Sequence, residues 1–181
     1  MIYSVDNKLY YSGNSRIDAI DSEHNWSNFA KFSFSVDLMT GDATSGQIIV
    51  ASRQTGQIYV VDSTGNATML VESATSAIAA QSGVLYYAVS DDEYGYESKV
   101  LSCNISNCIP SSPVAKATLS ITSLSVDSDG NLFYSTSEGI FPVQGVEPTI
   151  PYKKNITPFA LAYHESSDML YFLDIDVKQG L

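Results

Sequence analysis

The sequence predicts an all-β protein, a β-propeller of about four and a half four-stranded antiparallel blades whose ring is incomplete within this chain. Three observations carry the prediction. An aromatic-rich, strand-like run recurs five times, an apolar position downstream of it recurs at a nearly constant interval, and turn-forming residues separate the runs.

Taken in chain order, the runs are Leu9-Tyr10-Tyr11, Ile48-Ile49-Val50, Leu85-Tyr86-Tyr87, Leu132-Phe133-Tyr134 and Leu170-Tyr171-Phe172, starting 39, 37, 47 and 38 residues apart. Each follows a turn rich in Asp, Asn, Ser or Gly, residues that accept the tight backbone geometry a hairpin needs. Both odd and even positions of these runs are apolar, which marks a strand covered on both faces, as a middle strand stacked between neighbouring blades would be. The downstream position falls at Ile17, Ile58, Val100, Ile140 and Leu181, at intervals of 41, 42, 40 and 41. The period-2 alternation around it, as in Ile58-Tyr59-Val60-Val61-Asp62, reads as a third strand. First strands are expected at 2–5, 34–36, 78–80, 121–126 and 159–161, and fourth strands at 67–71, 114–119 and 148–152. The expected unit is one partial propeller over 1–181, with blades near 1–32, 33–75, 76–120 and 121–155 and a partial blade at 156–181. The last repeat breaks off in its third strand, so the expected completion is a longer polypeptide or a neighbouring chain.

An aromatic strand followed by a short turn and Ile-x-x-Ile-Asp, best seen in Leu9-Tyr10-Tyr11-Ser12 through Arg16-Ile17-Asp18-Ala19-Ile20-Asp21, resembles the repeats of the YWTD and NHL-type six-bladed propellers. The likeness runs over nearly the whole chain. It implies a six-bladed ring of which these repeats are a part.

Composition narrows the function classes. Nine Lys and Arg against twenty Asp and Glu give a net charge of −11, which repels a phosphate backbone and an anionic membrane face. No nucleic acid partner and no direct membrane insertion are expected, since no segment approaches the roughly 20 apolar residues of a bilayer span.

Cys103 and Cys108 bracket a four-residue loop and read as a local disulfide, the alternative being two free thiols; two cysteines and the distant His24 and His164 do not make up a metal site. Asn25, Asn66, Asn104 and Asn155 each begin an Asn-x-Ser/Thr sequon and are the expected glycosylation sites. Cysteines and sequons together point to an extracellular or secretory setting. An acidic insertion, Asp91, Asp92, Glu93, Tyr94, Tyr96 and Glu97, accounts for the long 47-residue interval and reads either as a solvated loop or as a partner-binding loop. The run Asp127-Ser128-Asp129-Gly130-Asn131 has its glycine too early for a calcium loop and reads as a tight turn. No Gly-x-Ser-x-Gly elbow is present.

With no catalytic residue, metal ligand or cofactor identified, the expected function is a non-catalytic extracellular binding or scaffold module, partnered by protein or by further blades. The alternative is a metal-dependent hydrolase or lactonase, for which convergent carboxylates would have to line the central channel.

Overall fold

The computed structural model describes residues 2–5, 8–90, 96–109, 112–146, 150–154 and 156–174, with residues 2–5 described by their backbone. Four four-stranded antiparallel sheets and one two-stranded sheet follow one another along the chain. The first contains β1 (Ile2–Val5), β2 (Lys8–Gly13), β3 (Arg16–Ile20) and β4 (Trp26–Lys31), and the second β5 (Leu38–Asp42), β6 (Gln47–Ser52), β7 (Gln57–Val61) and β8 (Ala67–Glu72). The third contains β9 (Ala77–Gln81), β10 (Val84–Ser90), β11 (Ser98–Asn104) and β12 (Ala115–Ala117), and the fourth β13 (Ser123–Val126), β14 (Leu132–Thr136), β15 (Gly139–Pro142) and β16 (Lys153–Lys154). The last pairs β17 (Pro158–His164) with β18 (Met169–Asp174) across a 3₁₀ turn at Glu165–Ser167. Every strand pairs with its sequence neighbour, so each sheet is a meander.

The innermost strands pack side by side in chain order, β1 on β5, β5 on β9, β9 on β13 and β13 on β17. No such packing joins β17 to β1 among the described residues, so the blades form an arc and not a closed ring. The core is divided accordingly, with one cluster at each of the first three seams. Tyr10 and Ile17 meet Val36, Ile48 and Val50 between the first two blades. Ile49, Ala51 and Ile58 meet Leu85, Tyr87 and Val89 between the second and third, and Ala88 and Val100 meet Leu124, Leu132 and Tyr134 between the third and fourth. Successive residues of β10 thus serve opposite seams, which explains why both its odd and even positions are apolar. Burying one such side chain contributes about 1.5–3 kcal/mol, so each seam is a substantial fraction of the stability.

Polar clamps set the stagger between blades. Asp42 is wholly buried; its Oδ2 accepts from Ser45 Oγ (2.7 Å) and, across the seam, from the Gly83 amide (3.0 Å). Arg53 Nη2 donates to Ser76 O (2.8 Å), and Ser98 Oγ accepts from the Ile121 amide (3.1 Å). Gly65, at φ +86°, lies so close to the outer strand of the first blade that a Cβ would collide with the Phe29 carbonyl oxygen.

Two strand expectations are corrected. The first strand of the second blade is β5, beginning at Leu38, and not 34–36. That alternating stretch is a connection pressed into the seam: the Val36 amide donates to Asn14 O (2.6 Å), and Phe34 stacks on Tyr59 at 4.9 Å. Alternation reports burial, and a buried connection imitates a strand. In the fourth blade the outer strand is Lys153–Lys154; of the expected 148–152, residues 148 and 149 lie outside the described residues and 150–152 run ahead of the strand, the Tyr152 amide donating to Ile140 O (2.7 Å). Leu181 lies outside the described residues.

Candidate functional site

Two regions of the arc gather polar chemistry: the trough enclosed by the inner strands and the rim on which the turns between first and second, and between third and fourth, strands lie. Because strands alternate in direction, those two sets of turns share one rim, while the turns between second and third strands lie on the other.

β5, β9, β13 and β17 enclose a trough of about 610 Å³. Its described lining is Ala, Gly, Ser, Thr, Leu, Ile, Val and Met together with Gln81, Tyr163 and His164, with no Asp or Glu. His164 sits at the mouth, its Nδ1 2.8 Å from Ser167 Oγ and its ring edge-on to Tyr171. The Tyr163 hydroxyl donates to Asp168 Oδ1 (2.8 Å) and lies 3.1 Å from Ser128 Oγ. The Ser128 bond favours the phenolate, but the bond to Asp168, the loss of solvent and the carboxylate charge together hold the Tyr163 pKa above its ordinary value. The Asp168 carboxylate is thus committed to Tyr163, and the bond between His164 and Ser167 is a local contact within one exposed turn. Among the described residues no group of three or more His, Cys, Asp or Glu side chains is placed to hold a metal ion.

The rim carries a turn that recurs three times: Asp21-Ser22-Glu23-His24-Asn25, Asp62-Ser63-Thr64-Gly65-Asn66 and Asp127-Ser128-Asp129-Gly130-Asn131. In each, one Asp oxygen accepts the amides two and four residues on, as in Asp21 Oδ1 with Glu23 and Asn25 at 2.9 Å, Asp62 Oδ1 with Thr64 (2.8 Å) and Asn66 (3.0 Å), and Asp127 Oδ1 with Asp129 (3.0 Å) and Asn131 (2.8 Å). The fourth residue has positive φ, 67° at His24, 86° at Gly65 and 85° at Gly130. Stabilising the ionised form, these bonds lower two carboxyl pKa values: at Asp21 chiefly the Asn25 amide, at Asp62 chiefly the Thr64 hydroxyl. The sequence places the third copy in a tight turn and Asn25 and Asn66 in turns or loops; that the three are copies of one turn was missed, although the repeated Asp-Ser-x-x-Asn spacing signals it.

Asn25 and Asn66 close two of these turns in successive blades, and Asn104 ends β11, the third strand of the next blade, on the same rim. Cys103 and Cys108 are joined in a disulfide around Asn104. Asn155 lies outside the described residues, as do Asp91, Asp92, Glu93 and Tyr94 of the acidic insertion; Tyr96 and Glu97 are exposed on the opposite rim. No helix among the described residues is long and apolar enough to cross a membrane.

No protein family and no curated protein matches the chain by sequence. Its fold is nevertheless shared with solved β-propellers. In the nidogen/laminin complex one chain superposes with a TM-score of 0.71 at 15% identity, over 93% of this chain and 68% of that one. Streptogramin B lyase superposes with a TM-score of 0.66 at 12% identity, over 94% of this chain and 59% of that one. A computationally designed protein gives 0.62 at 13% identity, over 91% and 52%. The chain therefore spans between about half and two thirds of the length of these structures. The likeness is one of fold: antiparallel propeller blades, as the repeat resemblance implied.

Proposed function

We propose that residues 1–181 form a single partial propeller unit of a larger extracellular glycoprotein and act as a non-catalytic module that binds protein. The observation that carries this reading is the trough. A propeller hydrolase that works through a metal draws its ligands from convergent carboxylates at the channel, whereas the described lining here mixes aliphatic, Ser and Thr side chains with Gln81, Tyr163 and His164 and holds no carboxylate. The disulfide and the sequons support an oxidising compartment. That one structural neighbour is part of a nidogen/laminin complex supports protein recognition, and the exposed Tyr96 and Glu97 mark the acidic insertion as the candidate contact loop. The lyase neighbour shares only the fold, and fold does not transmit an activity.

Metal analysis of the protein purified from a secretory host, run beside binding measurements against extracellular-matrix proteins, tests the reading. The expected result is substoichiometric metal and saturable binding that weakens when Asp91, Asp92 and Glu93 are replaced by Ser. A stoichiometric divalent metal, or turnover of an ester or lactone lost in His164→Ala, overturns it.

A further inference from the structure

We propose that Asn104 is the N-glycan acceptor of the described chain, and that the Asn side chains of the other two described sequons serve to close hairpins. The inference rests on the secretory reading above and sharpens it to one atom, Asn104 Nδ2.

Three sequons look alike in sequence and differ in geometry. At Asn25 the carboxamide nitrogen donates to Asp21 Oδ2 (3.2 Å) and Glu23 Oε2 (3.4 Å), and at Asn66 it donates to Thr64 Oγ1 (2.7 Å). The third copy of the same turn has Asn131 donating to Asp127 Oδ2 (2.8 Å), yet Leu132-Phe133 follows it and no sequon exists there. The turn itself therefore calls for Asn. The hydroxyl residues of the first two sequons, Ser27 and Thr68, lie within β4 and β8, paired with Ala19 and Val60, and the Asn25 and Asn66 side chains bond Asp21, Glu23 and Thr64 instead.

Asn104 is arranged the other way round. Its Oδ1 accepts both the amide (2.9 Å) and the hydroxyl (2.6 Å) of Ser106, the third residue of its own sequon, and its Nδ2 makes no hydrogen bond. Both bonds pull electron density toward the oxygen and favour the imidic form of the amide, whose nitrogen is the better nucleophile. Buried Ile105, the Ile105 amide bond to Gly83 O (2.9 Å) and the Cys103–Cys108 disulfide fix the loop, while Asn104 and Ser106 remain exposed. With a polyprenyl-diphosphate-linked oligosaccharide as donor, a bond forms from Nδ2 to the anomeric carbon as the bond from that carbon to the phosphate oxygen breaks. The diphosphate leaves with the electron pair, and one Nδ2 proton passes to the transferase's base. No existing bond of Asn104 is lost, whereas the same reaction at Asn25 or Asn66 removes a donor from a closed turn.

Expression in a secretory eukaryotic host, followed by enzymatic deglycosylation in H₂¹⁸O and peptide mass spectrometry, reads each site. The expected result is an ¹⁸O-labelled Asp at 104, with 25 and 66 unlabelled. Asn104→Gln and Ser106→Ala should each remove one glycan's mass, and Ser106→Thr should keep it. Asn66→Gln should lower the urea midpoint without changing the mass, and Asn104→Gln should do the reverse. Glycan at Asn25 or Asn66 with Asn104 bare, or equal occupancy at all three, overturns the inference and leaves the secretory reading standing. A secreted-host product with no glycan anywhere sinks both.

Discussion

β2 and β10 carry the same Leu-Tyr-Tyr run, pair with their own blades in the same antiparallel manner, and end in opposite environments. Leu85 and Tyr87 are fully buried, while Leu9 and Tyr11 are 45% and 42% exposed. The difference is lateral. Leu85 and Tyr87 face Ile49, Ala51 and Ile58 of the preceding blade, and Leu9 and Tyr11 occupy the matching face of the first blade, which no other described blade covers. The repeat pattern makes the sheet, but the neighbouring blade makes the core, so stability in this arc is a sum of seams, as in other repeat architectures.

Truncation at the two equivalent leucines tests that statement with the largest expected effect. Leu85→Ala should destabilise by about 2–5 kcal/mol through lost burial and a residual cavity. Leu9→Ala should cost less than about 1 kcal/mol, because nearly half of that side chain already meets water. Urea unfolding at constant m-value reads both. Equal losses would show that the Leu9 face is covered in solution.

The next contrast separates backbone conformation from seam packing. Gly65 and Gly130 hold the same place in two copies of the Asp–Asn turn, at φ +86° and +85°, but only Gly65 abuts another blade. Gly130→Ala should cost about 1 kcal/mol, the left-handed penalty alone. Gly65→Ala adds a collision with Phe29 O and should cost roughly 2–5 kcal/mol. Similar losses at both sites in urea unfolding would mean that the two outer strands can part without consequence.

What was legible in the sequence divides along the same line. Within a blade, hydrogen bonding is local, so second and third strands were readable from Leu-Tyr-Tyr runs and from the positions of Ile17, Ile58, Val100 and Ile140, all of which fall in the expected strands. The expected first and fourth strands also fall on β1, β8, β9, β12, β13 and β17, and pattern misled at two places only: 34–36 alternates because the seam buries it, and the two-residue β16 is too short to have a period. Long-range polar contacts left no trace in the pattern. Asp42, 41 residues from its partner Gly83, reads as one more turn aspartate until the two blades are side by side. The sequons were visible as strings, but the bond between Ser106 and Asn104 that separates one from the others depends on the local fold around the disulfide.

The smallest expected effect concerns the tyrosines of the two compared strands. Tyrosine suits a blade seam when its hydroxyl reaches water or a partner, an expectation that Tyr87 breaks: its hydroxyl is buried and makes no hydrogen bond. An unpartnered buried hydroxyl is destabilising, so Tyr87→Phe should raise stability by about 1 kcal/mol. Tyr11→Phe, at an exposed site, should stay within about 0.5 kcal/mol of the parent. Burial also raises the Tyr87 pKa above its ordinary value, and raises that of Tyr134. Below the ordinary tyrosine pKa of about 10, folded and unfolded chains both keep the proton and these groups add no pH dependence. Above it the unfolded chain releases its protons first, so stability falls as pH rises. Tyr87→Phe removes one of the two buried phenols and should flatten that alkaline loss. An unchanged slope in Tyr87→Phe would show that water reaches the second seam and that its hydroxyl is solvated there.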